Sequence, residues 1–258
     1  MRAKVPVALV TGASQGIGRA IALELARRGH PLGVSARSAD ALTALVSEVD
    51  DRGGRAIALP ADLTDRADSK GLVARCTEEL GAPLVLVHAA GLAPSSGLQD
   101  TSDEDWDRAL ELNAFAAFAL ARAATPGMID AGFGRVVVIA STAGRMGYAF
   151  TSAYTASKHA AVGLVRALAL ELARTAVTVN AVCPGFTETA IVTDAITDIA
   201  RRSDGDEAKA RKKLEALSPQ RRFVQPEEVA AMVGYLVGED AGSITGQALG
   251  IDGGAVCS

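Results

Sequence analysis

The chain has 258 residues, 49% hydrophobic and 22% charged, with a formal net charge of -4 and a pI near 5.5. These proportions belong to a globular protein and exclude one that is mostly disordered, and the mildly acidic balance gives no electrostatic reason to expect nucleic acid or an anionic membrane as partner. The cysteines Cys76, Cys183 and Cys257 are few, odd in number and without metal-ligand spacing, which suits a reducing cytoplasm.

The N-terminal stretch "MRAKVPVALVTG" carries two basic residues and a short apolar run. The run passes into a glycine turn without a small-residue cleavage site, so it reads as a first buried strand rather than a signal peptide. Beyond it, short β-branched runs alternate with helical patterns: "VPVALV" then "GRAIALELARRG", "PLGVSA" then "ADALTALVSEVDDRGG", "RAIALP" then "DRADSKGLVARCTEELG". "PLVLVHAAG" follows, then a long helix around 103–130, "GRVVVIAS", a helix holding "YTASK", and "VTVNAVCPG". Near the end, "PEEVAAMVGYLVG" predicts a helix opened by proline and closed by glycine, and "QALGIDGG" a last strand. No stretch approaches the roughly 18 consecutive apolar residues of a membrane span. Strand and helix in alternation predict a single α/β domain over 1–258, a doubly wound Rossmann fold of about seven parallel strands with helices on both faces. Ligands of such folds bind outside the carboxyl ends of the strands.

Just after the first strand, Gly12, Gly16 and Gly18 stand at G-x-x-x-G-x-G spacing and a helix begins at once. Glycines let backbone N–H groups approach a pyrophosphate, and the helix N-terminus favours its charge. Arg19 follows Gly18 with no G-K-[ST], so a dinucleotide is expected over a nucleoside triphosphate. At the end of the second strand an acidic residue would favour NAD, whereas Arg37, after Ala36 and flanked by Ser35 and Ser38, suits the 2′-phosphate of NADP. The bland alternative for Arg37 is a solvated loop charge. Tyr154 and Lys158, four apart in a helical stretch, share a face on which an ammonium would lower the phenol's pKa; the bland alternative for the pentapeptide alone is an aromatic in the core and a solvated lysine. His88 at a buried strand end reads as a packed, hydrogen-bonded side chain rather than an extra acid or base, and His159 faces about 100° away from Lys158.

With "TGASQGIG", "ADLTD", Asn113 in "LELNAFAAF", Ser141 in "VVVIASTAG", "YTASK", Asn180 in "VNAVCPGFTET" and the terminal "IDGG", nearly the whole chain resembles the short-chain dehydrogenase/reductase family. The look is that of bacterial 3-oxoacyl and aromatic-polyketide ketoreductases. The resemblance implies that Tyr154 is the general acid, Lys158 holds ribose hydroxyls and lowers the Tyr154 pKa, Ser141 hydrogen-bonds the substrate oxygen, and Asn113 binds a relay water. It implies cofactor contacts from Gly12, Ser14, Gln15, Gly16, Ile17, Gly18, Arg37, Asp62, Leu63, Ala90, Gly91, Tyr154, Lys158, Pro184, Gly185, Thr187 and Thr189. Where the family reads N-N-A-G this chain has His88, Ala89, Ala90 and Gly91, and Ala89 cannot make the asparagine's strand-tying hydrogen bonds.

The segment 187–223 is expected to cover the substrate, with Arg145, Met146 and Tyr148 as further pocket candidates. Arg201, Arg202, Arg211, Lys212 and Lys213 within that segment read either as a phosphate-binding set or, more simply, as a solvated face with acidic neighbours. Apolar helices 103–130 and 152–174 fit the family's paired-helix contacts and usual homotetramer. The expected activity is reduction of a 3-oxoacyl thioester (CoA or acyl carrier protein) or similar ketone with NADP(H), NAD(H) being the alternative cofactor. The competing readings are an oxidative secondary-alcohol or hydroxyacyl-CoA dehydrogenase and, remotely, a non-catalytic dinucleotide-binding regulator.

Overall fold

The structure is a computed structural model that describes residues 5–201 and 205–257. Strand β1 (Ala8–Thr11) leads into α1 (Gly16–Arg27), β2 (Leu32–Ser35) into α2 (Ala39–Asp51), and β3 (Ala56–Ala58) into α3 (Arg66–Leu80). After β4 (Val85–His88) come α4 (Asp103–Leu110), a π-turn (Glu111–Phe115) and α5 (Ala116–Asp130) as one continuous rod. Next are β5 (Gly134–Ile139), a 3-10 turn (Thr142–Gly144), α6 (Ser152–Glu171), β6 (Val177–Pro184), α7 (Ala190–Arg201), α8 (Glu207–Glu215), α9 (Pro226–Leu236) and β7 (Ala248–Ile251).

All strand pairs are parallel, in the order β3-β2-β1-β4-β5-β6-β7. The order reverses between β1 and β4, and the crevice that ligands use in this architecture opens there. Continuous apolar runs make these strands because both faces are covered: β1, β2, β4, β5 and β6 are buried along their whole length. Leu9, Leu86 and Val136 pack with Leu72 and Leu120 on one face, while Val10, Val34 and Val87 pack with Ile21, Leu25, Leu42 and Val233 on the other. Each such fully buried leucine or isoleucine stabilises the fold by about 2 kcal/mol relative to exposure.

Two expectations needed adjustment. The helix over 103–130 contains a π-turn, and it carries Pro126 without ending. The segment 187–223 holds two helices with a small core of their own, Val192, Ile196, Ala200, Ala210, Leu214 and Phe223. Its two ends are pinned together by the Thr187–Val224 bridge and the Glu188 N to Val224 O bond of 2.9 Å. Arg202 lies outside the described residues.

Candidate active site

At the reversal point the turn after β1 and the turn after β4 touch. A Cβ on Gly12 (φ 67°) would sit 2.6 Å from Ala90 N, and one on Gly18 would collide with the Gly12 carbonyl. Both glycines are therefore required by backbone packing itself. Gly16 (φ 54°) instead faces Thr189 across the cleft, its absent Cβ 3.1 Å from Thr189 Cγ2. Helix α1 has no side-chain N-cap and no acid in its first turn, unlike α2, α3 and α4, which Ser38, Asp65 and Ser102 cap. Its free N–H groups are thus available to an anion at the foot of the glycine turn.

A cleft of about 570 Å³ runs from this turn across the carboxyl ends of the strands. It gathers Gly12, Ser14, Gln15, Gly16, Ile17 and Gly18 with Arg37, Asp62, Leu63, Ala90, Gly91, Tyr154, Lys158 and Thr189. Pro184 ends β6, buried opposite Ile251, and outside the cleft lining. Thr187 is also buried and turns its hydroxyl to the Gly185 carbonyl at 3.0 Å. Gly185 borders a second, smaller pocket of about 120 Å³ with Met146, Tyr148, Phe186, Leu217 and Asp252. Arg145 lines neither pocket, and its guanidinium lies against Gly250 of β7.

At the adenosine end Asp62 accepts hydrogen bonds from the Thr64 amide (3.0 Å) and hydroxyl (2.7 Å). Burial pushes the Asp62 carboxyl up, but the Thr64 bonds and the nearby Arg37 and Arg108 outweigh it and hold the pKa below the usual carboxylate value. Arg108, a cleft residue on α4, was missed in the sequence because nothing local separates it from any other exposed helical arginine. Of the cations expected in segment 187–223, Arg211 pairs with Glu188 and Glu215, and Arg201 with Asp198.

At the far end, Ser141 caps the 3-10 turn by accepting from Ala143 N at 3.1 Å, and its side chain acts on the Tyr154 phenol, drawing its pKa down. The turn lies close against α6, where a Cβ on Gly144 would be 2.8 Å from the Lys158 carbonyl, another contact invisible in the sequence. Lys158, 5% exposed, donates from Nζ to the Ile139 carbonyl at 3.0 Å and sits 5.8 Å from the Tyr154 ring centroid. Burial lowers its pKa to about 8. Burial also raises the phenol of Tyr154, which Ser141 only partly offsets. The lowering expected from Lys158 is therefore absent in the chain by itself, because removing a phenolate from water outweighs a cation whose proton points at a carbonyl.

Asn113 is fully buried in the π-turn, with Oδ1 accepting from Leu92 N (3.1 Å) and Nδ2 donating to Leu92 O (3.0 Å) and Ser157 Oγ (2.9 Å). Its amide is committed to holding Leu92 and α6, so a water relayed at this residue would use its backbone. A Cβ on Gly91 would meet Asn113 Oδ1 at 2.9 Å and Lys158 Nζ at 3.3 Å, so the glycine keeps open the floor beside Lys158. The uncapped helix, the glycine cradle and this floor fit a dinucleotide laid along the cleft.

Known proteins agree with this geometry. The family profile described as short chain dehydrogenase matches residues 6–200. A Streptomyces coelicolor protein named "putative ketoacyl reductase" is 41% identical over 253 residues, covering 96% of each chain. The D-beta-hydroxybutyrate dehydrogenase of Rhizobium meliloti is 36% identical over 250 residues, covering 96% of this chain and 97% of its own. The crystal structure of a single-substitution variant of actinorhodin polyketide ketoreductase with NADPH superposes with a TM-score of 0.93 at 38% identity, covering 99% of both chains. The chain belongs to the short-chain dehydrogenase/reductase family and is an NAD(P)-dependent oxidoreductase.

Proposed function

We propose that the protein is an NADPH-dependent ketoreductase acting on a 3-oxoacyl thioester, presented by coenzyme A or an acyl carrier protein, or on a similar ketone. The placement of Tyr154 and Lys158, one helical turn apart on one wall of the cleft, with Ser141 acting on the phenol, is the observation that carries this reading. Bound nicotinamide supplies the hydride. Tyr154, kept protonated at neutral pH by its raised pKa, gives its proton to the substrate oxygen, and Ser141 donates to that oxygen as charge develops. Lys158 and the backbone of the Asn113 π-turn stand on the side from which the proton is replaced. Arg37, with Arg108 nearby, faces the adenosine 2′-phosphate, and Asp62, Leu63, Ala90, Gly91 and Thr189 line the remaining length. The small pocket beside Met146, Tyr148 and Phe186 receives the substrate's organic tail.

Fluorescence titration of NADPH and NADH into wild type and Arg37→Ala tests the cofactor half of this reading. NADPH is expected to bind about tenfold or more tightly than NADH, and the variant to lose that preference. Equal or tighter binding of NADH would make Arg37 a surface charge. A second reading, an enzyme that works oxidatively on a hydroxyacyl substrate, is favoured by the 36% identity to the hydroxybutyrate dehydrogenase. It predicts faster turnover of a 3-hydroxyacyl compound with NAD than of any ketone with NADPH. The exposed apolar side chains Ile129 on α5 and Leu170 on α6, 44% and 80% exposed, are compatible with the homotetramer expected of this family.

A further inference from the structure

The imidazole of His88, 1% exposed at the end of β4, is in register with Thr11 on one side and Val138 on the other. The Thr11 hydroxyl accepts from the Ala89 amide at 3.2 Å and the Ala90 amide at 3.3 Å, which uses both of its lone pairs. Its one proton therefore goes to His88 Nδ1, 3.0 Å away. With Nδ1 an acceptor, the ring proton is on Nε2, which donates to the Leu112 carbonyl at 3.0 Å. That carbonyl is available because of the π-turn: the Ala116 amide, its donor in a regular α-helix, bonds Glu111 O instead. Leu112 precedes Asn113, which grips Leu92 and Ser157, and the Ser157 hydroxyl donates to the Tyr154 carbonyl at 2.7 Å. Burial, then the charge of Lys158, lowers the His88 pKa to about 4, so the ring is neutral and both bonds persist at neutral pH.

We propose that His88 is a positioning residue: through the Leu112 carbonyl it fixes the π-turn, and with it Asn113, against the cofactor-side turns at Thr11 and Ala89–Gly91. This rests on the ketoreductase reading only for its effect on turnover; the positional claim concerns the chain alone. It also explains the departure at Ala89, because the tie between the turns runs through Thr11 and His88 and needs no side chain at 89.

Three variants separate the two halves of the imidazole. In His88→Asn the amide oxygen stands near the place of Nδ1 and still serves Thr11, but it falls short of Leu112. In His88→Gln the longer amide reaches Leu112, and in His88→Leu both bonds are lost. Hydrogen exchange at the Leu92 amide, held by Asn113, reads the position of the π-turn without turnover. Exchange is expected to rise about tenfold or more in His88→Asn and His88→Leu and to stay near wild type in His88→Gln. In the same proteins kcat should fall about tenfold for Asn and Leu and be rescued by Gln, while binding of 2′,5′-ADP, a probe of the adenosine end, is unchanged. Wild-type exchange at Leu92 in His88→Asn would overturn the proposal, as would losses in Asn and Gln that merely track melting temperature. Absence of any wild-type turnover would overturn the ketoreductase reading and leave the exchange result to decide this one.

Discussion

At the scale of single residues, burial sets the site's protonation more than proximity of charge does. A tyrosine and lysine four apart were legible in the sequence as a pair, and the structure does put both in one cleft. The direction of the Tyr154 shift was not legible, since desolvation is a property of the assembled wall. The same holds for His88, whose partner Thr11 is 77 positions away. Its pKa is about 4 when folded against an ordinary value of 6.5. The unfolded chain therefore binds the extra proton first, so stability from this group is complete above pH 6.5 and is lost as pH falls towards 4. Acid unfolding of wild type should show this loss, at most about 3 kcal/mol, and His88→Gln should flatten it. Gly144→Ala tests packing of the 3-10 turn that carries Ser141: its Cβ would lie 2.8 Å from the Lys158 carbonyl and push Ser141 from Tyr154. A fall in kcat of about tenfold or more is expected, with NADPH binding little changed, read by steady-state kinetics beside a fluorescence titration.

Among elements, order and type were legible and interruptions were not. The alternation of β-branched runs with helical periods predicted every strand, because strands buried on both faces need continuous apolar residues. The π-turn escaped notice because an inserted residue leaves the apolar pattern of "ALELNAFAAFALARAA" almost intact while shifting the hydrogen bonds by one. The segment 187–223 stood out by its length and mixed charge, but its small core was hidden by the sequence separation of Val192 from Phe223. That core predicts local opening. Phe223→Ala removes a side chain 2% exposed and should cost this segment about 3 kcal/mol of stability. Exchange should then accelerate in α7 and α8 and remain slow in β1 and β4.

Over the whole molecule, the parallel strands place the cleft-lining loops at their carboxyl ends and commit the two covered faces of the sheet to stability. The glycine turn, Arg37, Asp62 and Gly91 were therefore readable as one site from their place after successive strands, whereas Arg108 reaches the cleft only through the packing of α4. The thiols report the integrity of this fold. Burial pushes Cys76 up to about 12 and also raises Cys183, while Cys257 is exposed. A thiol reagent at neutral pH should label one cysteine rapidly and the other two only on unfolding. The most direct measurement of function is NADPH oxidation with a 3-oxoacyl thioester by wild type and Tyr154→Phe, with circular dichroism as a check on folding. Ketone-dependent oxidation should be lost by about 10²–10⁴-fold in a folded variant. Equal rates in the two proteins, or no ketone-dependent oxidation by wild type, would contradict the assignment of Tyr154 as the acid of a ketoreductase.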